Sequence, residues 1–218
     1  LKSGAVAVNC NPVYTPPELN HQLKDSQAKM VFCMDHPTFY PNTVKAIKGT
    51  DVKHVILCNI KSYLPKLKAI LGSLLGKIPK AENVNPAHLK FDDVITSARP
   101  EPPSIDIDPV NDTAIMLYTG GTTGLPKGAE LTHTNFTYDV QAIIEYARFV
   151  HEPGKPPEKM REDGFHSFLG VLPWYHSFGI SVALLAAARL AGRLICIPDP
   201  RAGNPPFTEV LKAVQQYK

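Results

Sequence analysis

Short apolar runs alternate with stretches of helical spacing along the first 60 residues of the chain. The apolar runs are rich in Val, Ile and Phe, as buried strands are, and they lie at Ala5–Asn9, Lys29–Met34 and His54–Asn59. Stretches that fit helices lie between them, at Pro17–Ser26 and Phe39–Lys48. Because strands and helices alternate through short connections, the pattern predicts a parallel sheet with helices on its faces.

A longer stretch, Lys61–Lys80, is predicted to form one amphipathic helix. Its apolar residues repeat with helical spacing, and lysines flank them. The apolar positions are Leu64, Leu67, Leu71, Leu74, Leu75 and Ile78, and the lysines are Lys66, Lys68, Lys77 and Lys80. A basic amphipathic helix can lie on an anionic membrane. The alternative is a helix that packs on the sheet with its lysines in water, and the sequence leaves both open.

The remainder of the chain continues the same pattern after a proline-rich connection. The predicted elements are a strand from Thr113, a helix capped by Thr132 or Thr134 that runs to about Phe149, an exposed loop His151–Gly164, a strand Ser167–Leu172, a helix Ile180–Ala191, a strand Arg193–Ile197 and a last helix Thr208–Lys218. We therefore predict an α/β protein whose parallel-sheet layers are flanked by helices. The expected division is a strand–helix block at 1–78, the proline-rich connection at 79–110 and a second block at 111–218.

A segment rich in glycine and threonine follows the strand that starts at Thr113. Residues 118–128 read Y-T-G-G-T-T-G-L-P-K-G, with four glycines, three threonines and one lysine. Glycines let successive backbone N–H groups turn toward one anion and leave room for it to approach. Threonine hydroxyls and a lysine ammonium add hydrogen-bond donors and positive charge. The segment is therefore predicted to be a phosphate-binding loop.

The spacing within this loop excludes two common phosphate-binding motifs. A Walker loop needs G-x-x-x-x-G-K-[ST], whereas Pro126 precedes Lys127 here and Gly128 follows it. The dinucleotide motif G-x-G-x-x-G also fails, because Gly120 and Gly121 are adjacent.

Three segments together resemble the adenylate-forming enzymes, which include acyl- and aryl-CoA synthetases, peptide-synthetase adenylation domains and luciferases. The loop at 118–128 is similar to their phosphate loop almost letter for letter, although Gly120 stands where many members carry Ser. Residues 4–19, G-A-V-A-V-N-C-N-P-V-Y-T-P-P-E-L, resemble the strand, loop and helix that precede it in fatty acyl-CoA synthetases. Residues 171–179, V-L-P-W-Y-H-S-F-G, resemble the segment after it, where a His lies beside the acyl pocket. The resemblance covers essentially the whole chain.

The resemblance implies ATP, Mg²⁺ and coenzyme A as the cofactors and gives roles to individual residues. Three threonines are expected to bind phosphate oxygens through hydroxyl and backbone N–H groups: Thr119, Thr122 and Thr123. Three glycines are expected to allow the close approach of the phosphates: Gly120, Gly121 and Gly124. Lys127 is expected to stabilise the leaving pyrophosphate by its charge. His176 is expected to orient the acyl carboxylate or to separate the two half-reactions, and no metal ligands are expected from the protein.

The implied activity is the ATP-dependent conversion of a carboxylic acid to an acyl-adenylate and then to an acyl-CoA, with release of pyrophosphate and AMP. A fatty acid is the expected substrate, because the segments at 4–19 and 118–128 look most like those of medium- and long-chain acyl-CoA synthetases. Three alternatives stay open: an aryl-acid CoA ligase, a non-catalytic nucleotide-binding module, and an unrelated α/β protein whose loop binds an inorganic anion.

Several features of the family are not found before Lys218. A Tyr-Gly-x-Thr-Glu run, an Asp for the ribose, a hinge and a C-terminal domain with a catalytic Lys would be expected after residue 179. The chain also opens on Leu1 and not on Met. We therefore expect an interior part of the large N-terminal domain, which alone would be inactive and would bind ATP or pyrophosphate weakly.

Composition and charge exclude further classes of protein. The chain is 44% hydrophobic and 20% charged with a net charge of +3, and it has no basic patch interleaved with aromatics, so no nucleic-acid partner is expected. No pair among the four cysteines has C-x-x-C spacing, so a metal site is not expected: Cys10, Cys33, Cys58 and Cys196. Buried free thiols in a reducing cytoplasm are expected in preference to disulfides. No apolar run reaches the ~18 residues of a membrane span, so contact with a membrane is expected only at its surface.

Overall fold

The computed structural model describes residues 1–120, 124–151, 167–197 and 199–217, the side chains of residues 147–151 excepted. The strands are β1 (Ala7–Asn9), β2 (Met30–Met34), β3 (His54–Cys58), β4 (Leu89–Lys90), β5 (Thr113–Thr119), β6 (Lys127–Thr132), β7 (Ser167–Gly170) and β8 (Arg193–Cys196). The helices are α1 (Pro16–Asp25), α2 (Phe39–Ala46), α3 (Lys66–Leu74), α4 (Phe91–Ser97), α5 (His133–His151), α6 (Ala186–Arg189) and α7 (Thr208–Gln216). The α/β class, with parallel strands flanked by helices, is confirmed.

The first half of the chain builds a parallel sheet in the order β2-β3-β4. Strand β3 is its centre, and Val55, Ile56 and Leu57 are buried there. Val55 and Leu57 pack with Cys33 of β2 and Tyr40 of α2. Helix α2 therefore serves as the crossover that parallel pairing of β2 and β3 requires, and it covers one face of the sheet.

Helix α1 has a well-defined start and a buried inner face. The backbone N–H and the hydroxyl of Thr15 both donate to Oε2 of Glu18, at 2.8 and 2.7 Å, which is the geometry of a capping box. These hydrogen bonds hold the pKa of Glu18 below its usual value. Leu19 and Leu23 are buried against Ala46 of α2. The helix is thus fixed to the first half of the fold.

The second sheet has the order β1-β5-β6 and carries the predicted phosphate loop. Strand β1 is parallel to β5, but β5 and β6 are antiparallel partners, so they form a hairpin around residues 120–126. Strand β6 is not among the predicted elements. Its pairing with β5 is antiparallel because a short loop joins the two strands, and parallel pairing would need a longer crossover. The core of this sheet consists of Ala114, Ile115, Leu117, Phe136 and Ile180.

A small parallel pair, β7 with β8, forms the third sheet. Helices α5 and α6 pack near it through Val140, Ile144 and Ala186, which are buried together. The start of α5 follows the prediction, because the backbone N–H of Asn135 donates to Oγ1 of Thr132 at 3.2 Å. None of the helices in the described ranges is both long enough and apolar enough to cross a membrane.

The single helix predicted at Lys61–Lys80 is wrong. A 3₁₀ turn at Ile60–Tyr63 comes first, and α3 starts only after Pro65, whose ring disfavours helical backbone at the preceding residue. The helix then ends at Leu74 in a Schellman motif. Gly76 there has a left-handed φ of 63°, and the N–H of Lys77 donates to the carbonyl of Gly72.

Three other predicted segments differ from the structure. The proline-rich connection contains β4 and α4, so part of it belongs to the first sheet, while the proposed division of the chain stays a prediction. The predicted helix Ile180–Ala191 starts as a π-helical segment, Gly179–Leu185, and ends in α6. The predicted loop His151–Gly164 lies outside the described residues apart from His151, which ends α5.

Candidate active site

The loop end of the β5–β6 hairpin brings four of the predicted site residues together. Thr119 ends β5 and faces Lys127 at the start of β6, and the Thr119 hydroxyl donates to the Lys127 carbonyl at 3.5 Å. Gly120 and Gly124 lie in the loop between them, and all four residues are exposed. The other three predicted residues of the loop lie outside the described residues: Gly121, Thr122 and Thr123.

Packing among the described residues does not account for Gly120 and Gly124. A Cβ atom placed on either glycine would meet no atom of the described residues within 4 Å. Neither of the two has the left-handed φ that favours glycine. Within the described part of the chain, nothing therefore keeps a ligand from approaching the backbone at these positions.

Helix α1 contacts both strands of the hairpin where the loop begins and ends. The Nε2–H of His21 donates to the carbonyl of Pro126 at 2.9 Å, because a carbonyl can only accept. The hydroxyl of Tyr118 donates to Oδ2 of Asp25 at 2.6 Å. Burial, and then the Asp25 carboxylate, raise the pKa of Tyr118 well above its usual value, so this hydroxyl stays protonated. Sequence reasoning missed these contacts, which join residues 105 and 93 positions apart.

The Tyr118 ring reaches α1 because a glycine faces it across the hairpin. Gly128 is the cross-strand partner of Tyr118, and a Cβ at Gly128 would lie 3.0 Å from Cζ of the ring. Any larger residue would therefore displace the ring or the strand. Gly128 thus has a packing role, which Gly120 and Gly124 lack.

The His176 segment is a tight turn that returns to its own start. The N–H of His176 donates to the carbonyl of Pro173 at 3.1 Å. A Cβ at Gly179 would lie 2.2 Å from the same carbonyl oxygen, so only glycine fits at the end of this turn. The shape of the turn explains the glycine that closes the V-L-P-W-Y-H-S-F-G segment.

The imidazole of His176 is exposed and held by one backbone contact. The N–H of Phe178 donates to Nδ1 of His176 at 3.3 Å. Because Nδ1 accepts this hydrogen bond, the neutral ring carries its proton on Nε2. The free side of the ring is therefore a hydrogen-bond donor.

Strand β1 places the His176 segment at the same end of the sheet as the loop. Asn9, the last residue of β1, lies beside Leu117 of β5, and its Nδ2 donates to the carbonyl of Trp174 at 3.0 Å. No hydrogen bond or ion pair links His176 to the loop residues that the structure describes. The two predicted parts of the site therefore share one edge of the sheet without touching through polar contacts.

A cleft of about 1760 Å³ opens beside this edge, between β1, β2 and residues 170–175. Trp174 and Tyr175 contribute to its lining. Its volume exceeds the roughly 300–1,000 Å³ of ordinary small-molecule pockets, so it is a gap between layers of the fold and not a closed substrate pocket.

The cysteines are free thiols, as predicted, although they are not all buried. Cys33 is buried, Cys10 and Cys58 are half-buried, and Cys196 is exposed because it ends the short strand β8. Burial raises the pKa of Cys10 to about 11, which makes it a poor nucleophile. Within the described ranges, no group of three or more His, Cys, Asp or Glu side chains could hold a metal ion.

Comparisons with known proteins cover all or nearly all of the chain and lead to the same group of enzymes. A family model described as AMP-binding enzyme matches residues 1–218. A long-chain-fatty-acid–CoA ligase from Yersinia pestis is 35% identical over 205 residues, which are 92% of this chain and 34% of the relative. The chain therefore spans about a third of the length of the curated relatives it matches.

Two solved structures share the fold. A long-chain-fatty-acid-CoA ligase from Archaeoglobus fulgidus superposes with a TM-score of 0.66 at 21% identity, over 98% of this chain and 34% of its own. ATP-bound MatB from Rhodopseudomonas palustris gives a TM-score of 0.66 at 20% identity, over 100% of this chain and 34% of its own. At such identities the likeness concerns the fold alone.

Proposed function

This chain belongs to the family of AMP-binding enzymes, and on that premise we propose that the protein in its full length activates a carboxylic acid with ATP. A carboxylate oxygen attacks the α-phosphorus of ATP, and pyrophosphate leaves with the electron pair of the broken P–O bond. The sulfur of coenzyme A then attacks the acyl carbon of the adenylate and expels AMP. The products are acyl-CoA, AMP and pyrophosphate.

The first step brings two anions together, so it depends on positioning and on neutralising charge. The observation that carries the proposal is the open space in front of Gly120 and Gly124, combined with the donors beside it. Protein packing does not require glycine at these positions, whereas the approach of phosphate oxygens to the backbone does. This supports a loop that is shaped for an anion.

Each residue of the loop has a role that its chemistry allows. Thr119 presents a hydroxyl at the end of β5, and Lys127 presents an exposed ammonium at the start of β6, so the leaving pyrophosphate would be bound from both sides. The roles of Gly121, Thr122 and Thr123 follow from the family resemblance: close approach for the glycine, and hydroxyl and N–H donors for the threonines. Mg²⁺ would enter with ATP as part of the substrate, shared between phosphate oxygens.

His176 is proposed to orient the acid during the same step. Its Nδ1 is occupied by the N–H of Phe178, so Nε2–H is the donor that could hold a carboxylate or acyl oxygen. The segment lies at the sheet edge where the loop begins, because Asn9 of β1 holds the Trp174 carbonyl. This arrangement supports a role near the reacting carboxylate.

A long-chain fatty acid is the proposed substrate class. Its support is that the Yersinia pestis relative, which is 35% identical to this chain, is called a long-chain-fatty-acid–CoA ligase. The test is pyrophosphate exchange into ATP by the full-length protein, with a series of fatty acids, benzoic acid and no acid. We expect exchange that depends on fatty acid. Exchange with benzoic acid alone would favour an aryl-acid ligase, and no acid-dependent exchange would contradict the proposed enzyme.

We also propose that α3 meets the membrane surface from which a fatty acid would be drawn. Leu67, Ile70, Leu71 and Leu74 stand at helical spacing on one face of α3, and each is at least 48% exposed. Ala69 is the buried residue of this helix and lies on the opposite side from the apolar stripe. Four exposed lysines lie at the start of α3 or shortly after its end: Lys66, Lys68, Lys77 and Lys80.

An apolar stripe with lysines near its two ends complements a bilayer that contains anionic lipid. The test is flotation of the full-length protein with vesicles of phosphatidylcholine, with and without phosphatidylglycerol. We expect binding only with the anionic lipid, and its loss in the Leu74→Asp variant. Leu211→Asp is the matched control, because Leu211 of α7 is similarly exposed. Equal flotation of wild type and Leu74→Asp would remove this proposal.

A further inference from the structure

Helix α1 holds the loop at two points, one on each strand of the hairpin. We propose that α1 positions the phosphate loop, with His21 fixing the strand that leaves the loop and Asp25 fixing the strand that enters it. The proposal rests on the proposed function, since it assigns positioning residues to that same site. Neither residue contacts the described loop residues that would bind phosphate, so both would act through the residues they hold.

His21 acts on Lys127 through one planar group. The Pro126 carbonyl that His21 holds at 2.9 Å belongs to the same peptide unit as the N–H of Lys127. Because a peptide unit is rigid, holding its oxygen also restricts where the Cα of Lys127 can lie. A single hydrogen bond therefore limits the position of the cation proposed to meet pyrophosphate.

Asp25 acts on Thr119 in a corresponding way. The Tyr118 hydroxyl donates to Asp25 at 2.6 Å, and the ring lies against Gly128 on its way to the helix. Tyr118 immediately precedes Thr119, so a fixed Tyr118 fixes the end of β5. The two anchors lie at opposite ends of one loop, so they restrain both of its ends.

The helix is itself rigid enough to serve as a support. Its start is capped by the Thr15–Glu18 pair, and Leu19 and Leu23 are buried in the first half of the fold. Its buried Gln22 donates from Nε2 to the carbonyl of Asn9 at 2.9 Å. Asn9 in turn holds the Trp174 carbonyl, so the loop and the His176 segment share one reference point.

The kinetic test uses His21→Leu, which removes the donor, and His21→Gln, which keeps an N–H donor. In fatty-acid-dependent pyrophosphate exchange by the full-length protein, we expect His21→Leu to lower kcat/KM for ATP by about 10- to 100-fold, as misplacement by an ångström can. The KM for the fatty acid should not change, and His21→Gln should recover most of the loss. His54→Leu, at an exposed histidine of β3, is the matched control and should behave as wild type.

The second anchor is tested by a double-mutant cycle. Tyr118→Phe removes the donor of this hydrogen bond and Asp25→Ala removes its acceptor, so the double variant should lose no more kcat/KM for ATP than either single variant. Additive losses would show that the two residues act separately and would overturn the role of Asp25. An equal rise in the KM for ATP and in the KM for the fatty acid would indicate a general structural defect and would also count against the proposal.

A measurement without turnover separates this proposal from the proposed function. Amide hydrogen exchange in β5 and β6 should accelerate in His21→Leu, while exchange in β2 and β3 should match the wild type. If exchange in the hairpin is unchanged, α1 does not position the loop, whatever reaction the protein catalyses. If exchange accelerates but wild-type protein shows no acid-dependent activity, the positioning stands and the proposed function fails.

Discussion

The sheet around β3 and the hairpin of β5 and β6 are built from the same kinds of strand but end differently. In β3, Val55, Ile56 and Leu57 are at most 6% exposed, and helices cover their neighbours. Strand β5 begins in the same way, with Ala114 at 1% exposure, but it ends at the exposed Thr119. The described site residues of the hairpin all lie beyond the point where packing stops.

The difference shows how the fold separates stability from chemistry. A charged ligand needs open space and accessible polar groups, which a packed core cannot supply. The hairpin therefore uses its buried half to anchor the sheet and its exposed half to present Thr119 and Lys127. Substitutions in the packed sheet should consequently lower stability, and substitutions at the loop end of the hairpin should lower activity.

The largest effect is expected from truncation in the packed sheet. Leu57→Ala should lower the free energy of unfolding by about 2–5 kcal/mol, because it opens a cavity among Cys33, Tyr40 and Val55. Urea denaturation measures this change, and activity per folded molecule should be preserved. Leu74→Ala, at an exposed leucine of α3, should change the stability by less than about 0.5 kcal/mol. A catalytic defect in folded Leu57→Ala would contradict the separation of residues that stabilise the fold from residues that serve activity.

At the loop end of the hairpin, substitutions are expected to lower activity and to leave stability nearly unchanged. Lys127→Ala should slow acyl-adenylate formation by ~10²–10³-fold, as loss of one preorganised charge donor does, with little change in melting temperature. Thr122→Ala and Thr123→Ala should each weaken catalysis as well. Pyrophosphate exchange is the measurement, and Lys45→Ala on α2 is the control. Unchanged exchange in all three loop variants would remove the loop from the active site.

A smaller kinetic effect is expected at His176. The variant His176→Ala should reduce kcat by about 10- to 100-fold while changing the affinity for ATP little, because the ring is proposed to orient the acid and not the nucleotide. Its exposure predicts an unchanged melting temperature. Steady-state kinetics with ATP and with fatty acid varied separately decide the matter. Normal activity in a variant that melts much earlier would instead give His176 a structural role.

The smallest effect is expected at the start of α1. This helix packs in the first half of the fold and also contacts the β5–β6 hairpin. Thr15→Ala should cost about 1 kcal/mol of stability, as loss of a helix cap does. The lowered pKa of Glu18 stabilises the folded state above the unfolded value of about 4.3, and this contribution is lost as the pH falls through the folded-state pKa. The difference between wild type and Thr15→Ala should therefore shrink in acid. Denaturation at pH 7 and pH 3 measures it, and a constant difference would contradict the capping role.

Much of the packed region could be predicted from the sequence. The runs around β2 and β3 are apolar, β-branched and bounded by polar turns, so their bounds differ from the observed ones by about one residue. The break in the predicted Lys61–Lys80 helix was also visible, because Pro65 and Gly76 are residues that start and end helices. The helical spacing of the apolar residues favoured one long helix in spite of these two residues.

The arrangement of the open region could be predicted only where its residues are neighbours in the chain. Thr119, Gly120, Gly124 and Lys127 are close in sequence, so any turn brings them together. The contacts of His21 and Asp25 with Pro126 and Tyr118 depend on the position of α1 in the tertiary structure, which no local pattern encodes. Strand β6 was not predicted either, and the sequence of a strand does not by itself specify the partner with which it pairs.

The pairing of Thr119 with Lys127 also says something about the length of the loop. The residues between these partners, 120–126, are seven in number, whereas about two residues can close a hairpin. A longer closure costs the chain conformational entropy without adding to the core. Shortening the loop would leave two strands that still pair and would remove residues proposed to bind phosphate. Pairing of the two strands therefore does not require the extra residues, which are available for the proposed ligand.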